Sequence, residues 1–276
     1  MPSNPKDVLT QGAVKPWHVI FIVLVAYVVG GVAADKLLRV FDSGLRPYVR
    51  DGLSVSIAAV IMIAYTLVVP EFRRVLPILF RRARVPVTRT DAGWAFAVAL
   101  CWGYGLYRAG FCLPALQLKP EWFSVVGLNE AMPDFQFRYL LLLAGPVLLA
   151  PLAEELVFRG FLLNLWIARW GVWPAIIASS LFFGAMHWER TLFAGVMGVG
   201  FALVYLKYDS LWPGIALHAA YNLLTFYWLL GGLFSIKDRA TVQDPSNWIP
   251  EIALAILFFP FAWLFWRRFR PGRPAG

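Results

Sequence analysis

Two adjacent carboxylates, Glu154 and Glu155, and one guanidinium, Arg159, sit in the run Ala150-Pro-Leu-Ala-Glu-Glu-Leu-Val-Phe-Arg-Gly160, which is apolar on both sides. A charge at the centre of a membrane-spanning helix costs about 2.5–3.5 kcal/mol on insertion scales, so three charges in such a run need a use. Glu155 and Arg159 are four residues apart and share a helical face, where they can pair. Glu154 lies about 100° further round the helix and has no partner within it. The spacing predicts one structural carboxylate and one available for chemistry. A plainer alternative is a helix end with all three charges among lipid headgroups; it weakens because the other deep polar residues converge on the same region.

The chain has three histidines. His18 precedes the first apolar run. His187 ends Ser179-Ser-Leu-Phe-Phe-Gly-Ala-Met-His187, and His218 lies in Ile215-Ala-Leu-His-Ala-Ala-Tyr-Asn222. A lone histidine on an apolar face is more often a hydrogen-bonded core residue than a site residue. Two of them beside a free glutamate are expected to face one another, since ionisable groups at membrane depth normally do. Phe183 shares a helical face with His187, and Asn222 with His218. Glu154 and His187 are equally far in sequence from the Trp170–Gly171 turn, which puts them at one depth in a helical hairpin. The same counting puts His218 toward the other end of its helix. It then reaches the pair only through a broken or tilted helix, for which Gly195, Gly198 and Gly200 give scope.

Three chemistries use such a set. Glu154 can act as a general base on a water with help from His187, while His218 and the Asn222 amide donate to an oxyanion. Alternatively, Glu154, His187 and His218 can hold a Zn²⁺ with an open position for water. In the third, the carboxylate and imidazoles relay protons in a transporter. No H-E-x-x-H, G-x-S-x-G or G-x-x-x-x-G-K-[ST] occurs, which leaves thermolysin-like zinc proteases, serine hydrolases and P-loop NTPases unsupported.

The ordered set Glu154-Glu155-x-x-x-Arg159, Phe183-x-x-x-His187 and His218-x-x-x-Asn222 resembles the CPBP intramembrane proteases, the CAAX prenyl endopeptidase and bacteriocin-processing group. The resemblance covers residues 138–230; residues 1–137 add nothing to it. It implies an all-α fold of about eight spans and peptide-bond hydrolysis within the bilayer. It also implies Glu154 and His187 as the water-activating pair, with His218 and Asn222 at the oxyanion. Glu155, Arg159 and Phe183 are then structural support.

The elements that must position these residues follow from composition. Of the 276 residues 60% are hydrophobic and 15% charged, with mean hydropathy +0.65; a soluble domain is nearer 45–50% and about 25%. This is the composition of a polytopic membrane protein. The net charge of +9 comes from short basic blocks between apolar runs, the pattern of the positive-inside rule rather than of nucleic-acid binding. Apolar runs are expected to span at Val19–Ala34, Leu53–Val69, Trp94–Tyr107, 138–167, Val172–His187, Leu192–Leu206, Leu211–Leu230 and Ile252–Trp266. Between the second and third, residues 71–84 alternate basic pairs with apolar clusters and read as interfacial. Residues 1–18 are expected as a cytoplasmic tail, 19–268 as one transmembrane domain with a catalytic core at 138–230, and 269–276 as a basic tail. Eight spans put both termini in the cytoplasm, which agrees with the arginines of 71–91 and 267–273.

The expected activity is an intramembrane endopeptidase of glutamate type acting on a membrane-associated, CAAX-like protein or peptide. No cofactor is favoured; zinc on Glu154, His187 and His218 is the alternative, because Asn222 is a natural oxyanion donor and a poor metal ligand. A non-catalytic transporter-like, immunity or scaffold protein is the alternative from another class. Ionisable residues gathered in one cluster, rather than strung along a path, favour chemistry. The expected location is the bacterial inner membrane.

Overall fold

A computed structural model describes residues 5, 9, 14–39, 46–103, 105–106, 144–187, 191–229 and 245–271; the described residues are helical, with no strand among them. The helices are α1 (Pro16–Leu38), α2 (Arg46–Val68), two short turns α3 (Pro70–Arg73) and α4 (Leu76–Leu79), and α5 (Arg89–Leu100). A continuous helix, α6, follows over residues 145–170. The last four are α7 (Val172–Ala185), α8 (Thr191–Tyr208), α9 (Leu211–Leu229) and α10 (Ile249–Phe269). Among the described residues three helices are long and apolar enough to cross a membrane: α1, α8 and α10. A fourth counts if residues 52–68 and 70–79, bent by 86° at the break before Pro70, form one span. The described residues are thus those of a helical integral membrane protein. Residues 138–143 of the expected fourth span, Tyr104 and Tyr107 of the third, and Leu230 of the seventh lie outside the described residues.

Backbone contacts divide the chain into two compact units, Met1–Pro86 with Phe137–Ala219, and Val87–Gln136 with Ala220–Gly276. In the second, α5 packs on α10. Thr88 caps α5 by accepting from the Asp91 amide at 3.0 Å, Arg268 pairs with the buried Asp91, and Trp94 meets Phe261 edge-on at 5.4 Å.

The first unit is built on close helix approaches. A Cβ on Gly30 would lie 2.5 Å from the Ser54 carbonyl oxygen and 3.2 Å from the Ala58 nitrogen, so glycine lets α1 press on the α2 backbone. On α6 the missing Cβ of Gly145 accommodates the Ser56 hydroxyl of α2. Gly171, at φ 81°, makes the turn from α6 into α7, a conformation in which any Cβ is strained. Gly184 of α7 receives the Thr191 carbonyl and Gly195 of α8, which brings that pair together.

The turn from α8 to α9 is tied down by the basic segment that sequence placed at the lipid interface. Arg81 pairs with Asp209, which itself adopts φ 52°, and the Ser210 hydroxyl donates to the Arg81 carbonyl at 2.8 Å. The Arg84 amide donates to the Tyr208 carbonyl at 2.8 Å, and the Trp212 indole to the Phe80 carbonyl at 3.0 Å. Phe72, Val75 and Leu79 of the same segment are buried, with Phe72 against Phe161 of α6 at 4.5 Å. This segment therefore docks on the protein and fixes where α9 begins.

Candidate active site

Helix α6 carries the paired glutamates across a change of helical register. Its winding is π-wide over Gly145–Leu149, α over Ala150–Glu154, π-wide again over Glu155–Leu163, and α over Asn164–Trp170. Widened turns inside helices concentrate at functional sites, where they re-aim side chains at the cost of poorer backbone hydrogen bonding. Asn164 compensates. Its amide nitrogen lies 2.9 Å from the carbonyls of Arg159 and Gly160 and 2.8 Å from the Tyr205 hydroxyl. Two carbonyls of the wide segment thus gain a side-chain donor.

Glu154, Glu155, Arg159 and His218 are all buried, Glu155 completely. Arg159 Nη1 faces Glu155 Oε1 at 3.2 Å, the four-residue pair that spacing predicts. Its Nη2 donates to the Gly198 carbonyl at 3.0 Å, and its guanidinium lies 4.5 Å from the Phe183 ring centre and 5.3 Å from that of Phe201. A carboxylate, a carbonyl and two aromatic faces surround the cation, while its Nε and Nη1 are buried without a hydrogen-bond partner among the described residues.

His218 stands between the two glutamates. Nδ1 is 2.9 Å from Glu155 Oε1, a hydrogen bond, and Nε2 is 3.7 Å from Glu154 Oε2, just beyond one. Its ring stacks on Phe201 with centres 4.4 Å apart and planes at 18°, and Phe183 meets it edge-on at 5.9 Å. The separation of His218 from Glu154 inferred by counting residues from the turns is therefore corrected. α8 and α9 are both unbroken, and no kink is needed, because the Asp209–Ser210 turn anchored by Arg81 sets the level of α9.

Glu154 also has a partner that sequence did not supply. The Tyr27 hydroxyl of α1 donates to Glu154 Oε1 at 2.9 Å. The local helix leaves Glu154 unpaired, as spacing predicts, but a helix well outside the motifs pairs it. Tyr27 is the one polar side chain between His18 and Asp35 in an otherwise apolar run, a signal that was there to be read.

His187, in the turn just past the end of α7, joins the cluster through Phe183. The two rings are 4.5 Å apart, and His187 Nδ1 is 2.8 Å from the Phe183 carbonyl oxygen. That carbonyl holds Nδ1–H, leaving Nε2 of the half-buried ring for another partner. Asn222 lies one turn beyond His218 on α9, in the part of that helix that belongs to the second unit. Among the described residues no three His, Cys, Asp or Glu side chains gather closely enough to hold a metal ion.

Phe201, Gly198, Asn164 and Tyr205 escape motif reading because an apolar ring, a backbone carbonyl and a helix amide carry no pattern of their own. Gly198 is the exception in part. The small-residue stripe of α8 marks a close approach, and its role as the acceptor for Arg159 is what the structure adds.

Neither a curated protein nor a solved structure matches the chain. Residues 136–224, which contain every site residue named above except Tyr27, match the family model described as type II CAAX prenyl endopeptidase, Rce1-like. The paired glutamates, His187 and His218 all lie inside that match, so residues 136–224 are similar to an Rce1-like domain of the type II CAAX prenyl endopeptidases.

Proposed function

We propose that this protein hydrolyses a peptide bond of a membrane-associated, CAAX-like substrate inside an eight-span bundle, with both termini in the cytoplasm of a bacterial inner membrane. Glu154 is the general base. It takes a proton from a water that attacks the scissile carbonyl carbon, with His187 as the second hydrogen-bond partner of that water. The carbonyl oxygen becomes an oxyanion, which His218 and Asn222 receive as donors. Collapse of the tetrahedral species breaks the C–N bond, and the proton held by Glu154 passes to the leaving amine.

One observation carries this reading: the placement of His218 between the two carboxylates. Glu155 accepts from Nδ1, which fixes the ring and turns Nε2 toward Glu154. In a neutral ring held this way Nε2 is an acceptor; with both nitrogens protonated, Nε2–H is the donor left for a substrate oxygen. The reading is of glutamate type and needs no metal.

The test is cleavage of a farnesylated CAAX peptide by purified protein in liposomes, beside the Glu154→Ala variant. Wild-type protein should release the residues that follow the prenylated cysteine. The variant should release none while remaining monodisperse. Equal cleavage by both would overturn the assignment of Glu154.

A further inference from the structure

Tyr27 lies outside the family match and outside the three motifs, yet it is hydrogen-bonded to the carboxylate assigned the central role. We propose that Tyr27 is a positioning residue that anchors one oxygen of Glu154 and thereby aims the other at the water site. The proposal rests on Glu154 being the base, as read above.

The terminal torsion of a glutamate is broad and nearly two-fold. An unanchored carboxylate would present either oxygen, at a range of angles, to anything beside it. The Tyr27 hydroxyl takes Oε1 at 2.9 Å, and Oε2 is then the oxygen that faces His218 Nε2 at 3.7 Å. That separation exceeds a hydrogen bond, so Oε2 is not bonded to the imidazole as Oε1 is bonded to the phenol. An oxygen whose direction is fixed before a water arrives does not have to be oriented during the reaction.

The phenol is itself held in place. Gly30, three residues along α1, brings that helix against the α2 backbone at Ser54 and Ala58. Gly145 brings α6 against Ser56 of the same α2 helix. Tyr27 and Glu154 thus both lie on helices seated closely on α2, one against its backbone and one against the Ser56 side chain, which limits the slack in the distance between them. The plainer reading is that a phenol in an apolar helix has found an acceptor; the kinetics below separate the two.

The experiment has two arms. In the first, thermal unfolding is measured in one detergent for wild type, Tyr27→Phe, Glu154→Ala and the double variant. The shift caused by Tyr27→Phe should largely vanish once Glu154 is gone; additive shifts overturn the hydrogen bond and the proposal with it. The second arm measures hydrolysis of the farnesylated CAAX peptide. Tyr27→Phe should lower kcat by roughly 10- to 100-fold, the worth of a hydrogen bond to a charged group, and leave KM unchanged. Coupled unfolding with wild-type kcat makes the bond merely structural and overturns positioning, while Glu154→Ala inactivity in the same assay keeps the reading of Glu154 intact. Cleavage by Glu154→Ala, or none by wild type, overturns that reading instead and the positioning role with it.

Discussion

Glu155 and His218 share a hydrogen bond of 2.9 Å although 63 residues separate them in the chain. The same oxygen, Oε1, also faces Arg159 Nη1 at 3.2 Å. The other, Oε2, is buried without a hydrogen-bond partner among the described residues, beneath Gly214, where a Cβ would come within 3.3 Å of it. Glu155 is therefore the carboxylate on which the buried cluster depends, and it does its work by holding other side chains.

Exchanging the two glutamates separately should expose that difference. Glu155→Ala strands Arg159 among Phe183, Phe201 and backbone and frees His218, a loss of about 3–5 kcal/mol for breaking a buried charge pair. Glu154→Ala removes one hydrogen bond from Tyr27 and should cost about 1–3 kcal/mol. Both should lack activity, but thermal unfolding should place Glu155→Ala clearly below Glu154→Ala. The reverse order would mean that the structural and chemical roles are exchanged.

The glycines of α8 differ in what they tolerate. A Cβ on Gly198 would sit 3.1 Å from Ser180 Cβ, 3.2 Å from Ser180 Cα and 3.3 Å from Arg159 Nη2. Gly198→Ala should therefore push α8 off α7 and disturb the Arg159 hydrogen bond, at about 1–3 kcal/mol. Nothing lies within 4 Å of the same position on Gly200. Gly200→Ala should be neutral, or stabilising by up to about 1 kcal/mol from helix propensity. A pair of melting curves compares them.

Asn164 secures the wide winding that carries the glutamates. Asn164→Leu keeps a similar volume and removes the donor shared by the Arg159 and Gly160 carbonyls and the Tyr205 hydroxyl. Leaving buried acceptors without a donor costs about 1–3 kcal/mol. Activity should also fall, because Glu155 opens the same wide segment. Tyr205→Phe, which removes only one of the three partners, should be milder in both assays.

How much of this was legible in the sequence follows from range. The Glu155–Arg159 pair is a within-helix contact, and a spacing of four residues predicts it directly. The helical character and the membrane setting follow from composition and the length of the apolar runs. Counting residues from a turn could not level His218 with Glu154, because the level of α9 depends on Arg81 reaching Asp209 across 128 residues. Tyr27 reaches Glu154 across 127. Such pairings are set by which helices pack together, and no period along the chain records that.

Metal dependence separates the two hydrolytic mechanisms. In the glutamate-type reading His218 is already engaged through Nδ1 by Glu155 and turns Nε2 toward Glu154, and His187 is held through Nδ1 by a backbone carbonyl. Both imidazoles then act as hydrogen-bonding groups, and turnover should survive prolonged treatment with a strong chelator. Elemental analysis of active protein should find well under one zinc per chain. In the zinc reading the Nε2 atoms of the two histidines and Glu154 would have to converge on one ion with an open position for water. Chelation would then abolish cleavage, and added Zn²⁺ would restore it. Melting temperature is a poor readout here, since packing and the bilayer hold the helices with or without an ion. The decisive quantity is the rate of peptide cleavage before chelation, after it, and after zinc is returned. A rate that falls and then recovers, with one zinc bound per chain, would make Glu154, His187 and His218 ligands and remove Glu154 from its role as a free base.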